Sequence, residues 1–184
     1  MYAVQLTADA ELCPLEPRHA AEFLAHVEKA RADIVQYIPW AAVVVDESSA
    51  RSFLQAYADR QAADTGRIDG IWLGGELVGG VLFRTFDLRF GTCEIGVWLN
   101  ADAQGKGLIT RACQVLIDWA IGERGIYRLE WKCSTDNEPS KAVARRLGLT
   151  HEGVLRAAFP VGPIRQDLEV WSLLAPDWQT RPWA

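Results

Sequence analysis

Apolar residues recur at helical spacing through the opening part of the chain. From Pro17 onward, Ala20, Phe23, Leu24 and Val27 fall on one helix face, and Pro17 suits the first turn, where its missing N–H would have no partner. A second short helix is expected to run to Tyr37 before Pro39. Asp46 or Ser48 can cap a further helix with an apolar face of Ala50, Phe53, Leu54, Tyr57 and Ala58, stopping near Gly66. Ahead of these helices, Ala3 to Leu15 mixes Val4, Leu6 and Leu12 with polar residues and reads as one early strand.

The hydrophobic period then changes to that of strands. Ile68–Leu73 and Leu77–Phe83 flank Gly74-Gly75, a hairpin signal because paired glycines supply the positive φ angles of tight turns. Cys93–Leu99 alternates Ile95, Val97 and Leu99 with Glu94, Gly96 and Trp98, which distinguishes two faces. After a loop from Asn100 to Lys106, the positions Leu108, Ala112, Val115, Leu116, Trp119 and Ala120 trace an apolar helix face ending around Gly122 to Gly125. Tyr127–Cys133 is another strand, and Pro139 opens a shorter helix through Val143, Ala144 and Leu147, closed by Gly148. Strands return around Leu149–Ala158 and Leu168–Leu174. These elements predict one α+β domain over residues 1–184, with a mixed, mostly antiparallel sheet and helices inserted between strands.

Composition narrows the function. A chain of 184 residues with 49% hydrophobic and 23% charged positions is neither disordered nor low in complexity. Its net charge of -5, without blocks of like charge, disfavours unaided nucleic-acid binding and suits a basic partner better than an acidic one. The four cysteines, Cys13, Cys93, Cys113 and Cys133, form no CxxC pair, and His19, His26 and His151 form no HExxH, so no metal is implied. His19 and His26, seven residues apart, read as helix-surface residues. No basic segment followed by an apolar run opens the chain, and Glu76, Arg84 and paired glycines interrupt its apolar stretch from Ile71 to Phe86. The expected location is the cytoplasm, without membrane contact and with reduced cysteines.

The most informative segment is Gln104-Gly105-Lys106-Gly107-Leu108-Ile109-Thr110, placed after a strand and opening a helix. Glycines let a backbone approach a phosphate closely, the first N–H groups of a helix lack partners, and the helix dipole favours negative charge there. Lys106 can add a positive charge. The triphosphate loop would need Ser or Thr where Gly107 stands, and a dinucleotide loop would need glycine at Thr110, so neither pattern fits. Taken alone, the segment also reads as an ordinary glycine-rich turn.

Its neighbours decide between these readings. Glu94-Ile95-Gly96-Val97-Trp98-Leu99 precedes the loop, while Ser134-Thr135-Asp136-Asn137-Glu138-Pro139-Ser140-Lys141 and Leu147-Gly148-Leu149-Thr150-His151-Glu152-Gly153 follow it. In this order and spacing the chain resembles the GNAT superfamily of acetyl-coenzyme A dependent N-acetyltransferases, and within it the ribosomal-protein N-terminal (alanine/serine) acetyltransferases. The resemblance runs from Ile71 to about Trp178, through the closing Leu174-Ala175-Pro176-Asp177-Trp178, and only loosely includes the first helices.

The resemblance implies a GNAT-type mixed sheet with a splayed strand pair, flanked by helices, and acetyl-coenzyme A as acetyl donor without a metal. It implies that Gln104, Gly105, Lys106, Gly107, Leu108, Ile109 and Thr110 hold the cofactor pyrophosphate. Many members have Gly or Ala where this chain has Ile109. Val97, Trp98 and Leu99 would splay from the Tyr127–Cys133 strand and pair with the pantetheine amides, their N–H groups polarising the thioester carbonyl. Apart from the resemblance, Trp98 reads as a sheet-surface aromatic. Asn137 would bond the cofactor arm and Ser140 would assist the departing thiolate; by local chemistry alone both are turn and cap residues. Cys133 is a small packing residue or lines the same site. Arg145 and Arg146 reach the adenosine phosphates or form a solvated helix face, and Trp171, Trp178 and Trp183 read as core or interface aromatics.

Acetyl transfer needs a neutral amine, so a base must accept a proton, and Glu94 is the candidate, acting through a water. A surface or ion-paired Glu94 is the alternative. Ribosomal-type relatives often carry Glu after the Glu-Gly-x-Leu-Arg segment. Here Glu152-Gly153-Val154-Leu155-Arg156 leads to Ala157, Ala158 and Phe159, without that carboxylate. The expected reaction is direct transfer to a primary amine through a tetrahedral intermediate, with a protein N-terminal α-amine as preferred acceptor. A small-molecule amine is the rival acceptor, and a noncatalytic acyl-coenzyme A binding module is the rival class. A homodimer rests on the resemblance only.

Overall fold

In the computed structural model, which describes residues 3–162 and 164–180, eight strands form one sheet. In chain order they are β1 (Val4–Gln5), β2 (Ala10–Pro14), β3 (Arg67–Leu73), β4 (Glu76–Asp87), β5 (Thr92–Leu99), β6 (Arg128–Ser134), β7 (Thr150–Val161) and β8 (Ile164–Leu174). Their spatial order is β1-β2-β3-β4-β5-β6-β8-β7, and β5 with β6 is a parallel pair, in register from Thr92 and Arg128 to Ile95 and Trp131. The helices are α1 (Ala20–Ile34), α2 (Glu47–Ala62), α3 (Leu108–Asp118), α4 (Glu138–Arg146) and α5 (Ala175–Gln179). This is the expected α+β class. The chain forms two compact units, Met1–Phe83 with Val97–Ala112, and Arg84–Gly96 with Cys113–Ala184.

In the first unit, α1 and α2 bury their apolar stripes against one sheet face, where Phe23, Val27, Leu54, Ile68, Leu82 and Trp98 form a single cluster. Asp46 caps α2 as expected: its carboxylate accepts from the Ser49 N–H at 2.7 Å, and the Ser49 hydroxyl accepts from the Asp46 N–H at 3.0 Å. Two details differ from expectation. No separate helix precedes Pro39, because α1 runs unbroken to Ile34 and a short 3-10 turn, Pro39–Ala42, follows. Ile38 is held extended by the proline after it, and that keeps the two segments apart. The early strand is in fact a hairpin: Leu6 and Thr7 N–H both donate to the Ala10 carbonyl, folding β1 back on β2.

His26 is also corrected. It is 3% exposed, not a helix-surface residue, and its ring joins the Leu77 carbonyl at Nδ1 (3.1 Å) to the Trp98 indole N–H at Nε2 (2.8 Å). His19, half-buried at the start of α1, accepts from the Glu16 N–H at 3.1 Å and meets the Trp72 ring edge-on.

In the second unit, β6 and β8 pair antiparallel from Arg128 and Leu174 to Ser134 and Leu168, and β8 carries β7 on its other side. Both β7 and β8 are longer than their hydrophobic alternation predicts, because the extension is exposed or half-buried and carries no buried stripe. A π-turn, Trp119–Glu123, ends α3 where the glycines were expected to stop it. Trp171 and Trp178 are buried, and the Trp178 indole donates to Asp118 at 2.6 Å; Trp183 lies outside the described residues. All four cysteines are free thiols.

Burial lowers the His26 pKa from 6.5 to about 4, with the Leu77 bond opposing and Lys29 adding to the shift. Between these values the unfolded chain binds a proton that the folded protein rejects, so stability falls as the pH drops through the window. We expect His26 to remove about 3 kcal/mol between pH 6.5 and 4, and His26→Gln, which cannot protonate, to lose that part of the slope. Urea unfolding midpoints across this range check it; identical slopes for both proteins would refute it.

Candidate active site

The strand–loop–helix segment has the geometry of an anion cradle. Past the end of β5, the Asn100 N–H donates to the Val78 carbonyl at 2.8 Å, and a 3-10 turn, Ala101–Ala103, leads to Gln104. Gly105 and Gly107 then take φ angles of 77° and 73°, which L side chains rarely adopt, and nothing lies within 4 Å of where a Cβ would stand on either. Residues 104–107 are exposed, whereas Leu108 and Ile109 are buried and fasten the helix start to the core; Thr110 is half-buried. Ile109 therefore fills apolar space instead of disturbing the loop. The Arg111 N–H bonds the Gly107 carbonyl, and the amides of the preceding turn sit at a helix N-terminus, where N–H groups lack intrahelical partners.

Val97 and Leu99 are half-buried, but Trp98 is 3% exposed and turned into the core, not onto a sheet surface. Only its backbone is left to meet a ligand.

A second cluster lies in the other unit, at the start of α4. Asn137 caps the helix, its carboxamide oxygen accepting from the Ser140 N–H at 3.1 Å. Ser140 Oγ accepts from the Trp131 indole N–H at 3.0 Å, so its own proton is left to donate. Burial pushes the Cys133 thiol up, against the pull of Ser140, which is the behaviour of a packing residue. Lys141, 6% exposed, fixes the turn by donating to the Thr135 carbonyl at 2.7 Å and to Glu169 at 3.3 Å. Arg145 and Arg146 are exposed on the same helix, and the Arg145 guanidinium lies over the Trp171 ring.

A third group, on one face of β4 to β8 in this unit, was not anticipated beyond Glu94. Glu94 is buried and ion-paired, its oxygens 3.3 Å from Arg84 Nε and 3.0 Å from Lys132 Nζ. Lys132 continues to Glu130 at 2.9 Å, Glu130 to Arg128 at 3.1 Å, and Arg128 to Glu152 at 2.6 Å. The Ser172 hydroxyl closes the row on Glu152, also at 2.6 Å. Charges alternate along it, so the row neutralises itself. Its sequence signal was Arg128, Glu130 and Lys132 alternating with Leu129, Trp131 and Cys133, which places three charged side chains on one strand face. Burial works against the charges of Glu130 and Lys132, yet their mutual bond and their other partners hold the carboxyl below and the amine above their usual values.

Where a Glu was expected on β7, the strand bulges. Leu155 faces Leu168 and Phe159 faces Gln166, leaving Arg156–Ala158 looped out with Ala157 at φ 50°. The Ala157 N–H donates to Asp167 at 2.7 Å, which holds the bulge. Among the described residues, no group of three or more His, Cys, Asp or Glu is placed to hold a metal ion, and no helix is long and apolar enough to cross a membrane.

An open glycine turn at a helix start, after a strand whose aromatic is anchored inward, can take a phosphate-bearing ligand on backbone N–H groups. The model of the acetyltransferase (GNAT) domain matches residues 10–150. The chain belongs to this family. It is an acetyl-coenzyme A dependent N-acetyltransferase. A putative ribosomal N-acetyltransferase of Bacillus subtilis, YdaF, is 36% identical over 121 residues, 65% of this chain and 66% of the relative. The ribosomal-protein-serine acetyltransferase of Escherichia coli is 26% identical over 169 residues, 92% of this chain and 94% of the relative. The crystal structure of the microcin C7 self-immunity acetyltransferase MccE, in complex with acetyl-CoA and AMP, superposes with a TM-score of 0.86 at 28% identity, over 93% of this chain and 95% of that one.

The charged row yields a direct test. The bonds from Arg128 and then Ser172 hold the Glu152 carboxyl at about 2, down from 4.5. We expect Arg128→Met to return it most of the way to 4.5, read as the midpoint of the Glu152 carboxyl carbon shift in an NMR titration. A midpoint that stays near 2 would contradict the pairing.

Proposed function

We propose that this acetyltransferase carries acetyl from acetyl-coenzyme A directly to the α-amine of a protein N-terminus. The observation that carries this reading is the charged row: Glu94, Glu130 and Glu152 are each held by cationic partners, so none of these three carboxylates is unpaired. An acceptor that arrives partly neutral suits such a site. With a pKa near 8, an α-amine is about a tenth neutral at pH 7, whereas a lysine-type amine near 10.4 is neutral in only a few parts per ten thousand. Supporting it, two relatives carry names that specify ribosomal acceptors.

In this reading the backbone N–H groups of residues 104–110 hold the pyrophosphate, Lys106 adds charge, and the backbone of Val97, Trp98 and Leu99 pairs with the pantetheine arm. The open glycine turn fits that group, since no side chain blocks the approach. The bound cofactor supplies an acetyl thioester. Asn137 offers the cofactor arm its amide N–H groups, its oxygen being engaged in the cap. Ser140 gives its hydroxyl proton to the departing thiolate, while Trp131 holds the hydroxyl in place. Glu94 takes the amine proton through a water: Arg84 and Lys132 each occupy one site on a carboxylate that has about four.

Gly105→Glu should weaken coenzyme A binding at least tenfold, since it forces a side chain onto a left-handed residue and sets a negative charge beside the phosphates; unchanged affinity in calorimetry would remove the loop assignment. Ser140→Ala should lower kcat about tenfold to a hundredfold with coenzyme A affinity within about twofold, and an unaltered kcat would remove the serine's role.

The acceptor is read by mass spectrometry of a cell extract treated with the enzyme and isotopically labelled acetyl-coenzyme A. Label on protein α-amines is the expected result. Label confined to a polyamine, an amino acid or an antibiotic would overturn the acceptor assignment, and the likeness to the microcin-immunity enzyme makes that the outcome to look for.

A further inference from the structure

We propose that His26 is a positioning residue for the cofactor: through Trp98 it fixes the backbone of Val97–Leu99 in the conformation that binds the pantetheine arm. This rests on the reading of Val97–Leu99 as the cofactor-binding strand end.

A strand end that must pair with a flexible amide chain gains affinity if its own backbone is already immobile, because the ordering cost is not met at binding. Trp98 is the only residue of the three whose side chain is buried, and it is held from every side within its unit. Below it, β4 is cut back to glycine: a Cβ on Gly80 would stand 2.3 Å from the Trp98 ring, and one on Gly79 would stand 2.5 Å from the Trp98 carbonyl oxygen. The indole therefore sits in a notch that any side chain would fill. Phe23 and Trp40 meet it edge-on, with ring centroids 6.4 and 5.4 Å away.

The glycine notch and the rings around it enclose the indole, and the His26 bond adds a directional tie at its N–H. Its Nε2 accepts from the indole N–H, so Nδ1 must carry the ring's proton, and that proton goes to the Leu77 carbonyl on β4. The tautomer is thereby fixed, both buried partners are satisfied, and Trp98 is tied to the same strand that receives the Asn100 N–H at Val78. A second tie runs from α1 to the segment after β5, Lys29 to Asp102 at 3.3 Å. Helix α1 thus reaches the strand end and the turn that leads into the glycine loop, although none of its residues belongs to the proposed site.

The test compares His26→Phe, which keeps a ring but neither bond, with His26→Gln, whose amide can donate to Leu77 and accept from the indole. For His26→Phe the KM for acetyl-coenzyme A should rise about tenfold, with kcat and the KM for the amine within about twofold, and His26→Gln should restore most of the loss. Hydrogen exchange supplies the second readout. In the unaltered protein coenzyme A should protect the amides of Val97–Leu99, and in His26→Phe that protection should be lost.

An acetyl-coenzyme A KM unchanged in His26→Phe, with protection retained, would overturn the role of His26 while leaving the strand assignment standing. A His26→Gln variant as impaired as His26→Phe would also overturn it. No protection of these amides in the unaltered protein would instead bring down the strand assignment itself. Should His26→Phe fail to fold, Trp98→Phe, which removes the donor and keeps the acceptor, is held to the same two readouts.

Discussion

The hydrogen bond from Trp98 to His26, over a notch of two glycines, is the contact on which the proposed cofactor strand depends. It resolves a conflict built into any site that binds through backbone amides. Such amides must stay free of internal partners on the side that meets the ligand, yet a strand paired on one side only is freer to move than one paired on both. Turning one large side chain into the core immobilises the backbone from behind and leaves its polar groups available. The same division recurs at the loop, where Leu108 and Ile109 are buried while Gln104 to Gly107 are exposed. In both places apolar burial supplies rigidity and the backbone supplies recognition.

The charged row in the other unit follows a different rule. Six alternating charges on four strands hold each other in one row, and Glu94, the one carboxylate singled out for proton transfer, belongs to that row. A self-neutralised face attracts neither polyanions nor polycations over distance, since opposite charges a few ångströms apart cancel beyond a Debye length. Recognition of an acceptor there rests on local hydrogen bonding, and the acceptor's own acidity matters more than the strength of the enzyme's base. The net charge of the chain, read in isolation as a preference for basic partners, says less than this arrangement does.

Much of the fold was legible in the chain. The glycine pair at 74–75, the alternation in β5, the Asp46 cap and the switch from helical to strand period each act over a few residues, and each appears where expected. Failures came where the deciding contact is remote or weakly patterned. The β1–β2 hairpin depends on two N–H groups reaching one carbonyl, and the joined ends of β7 and β8 carry no buried stripe to announce them. The helical pattern puts His26 at the surface, because a histidine on an apolar helix stripe looks the same whether it meets water or an indole from a strand 72 residues away.

The sequence by itself determined the order of strands and helices, the glycine turn at a helix start and the family motifs, because turn chemistry, capping and periodicity are short-range. Only the tertiary structure decided which side chains those motifs leave for chemistry. Packing turned Trp98 inward and left the site its backbone, strand register gathered Arg84, Glu94, Lys132, Glu130, Arg128 and Glu152 into one row, and the Trp131 indole freed the Ser140 proton to donate. Each of these outcomes depends on a partner distant in sequence, and a pattern along the chain carries no record of which face another strand will present.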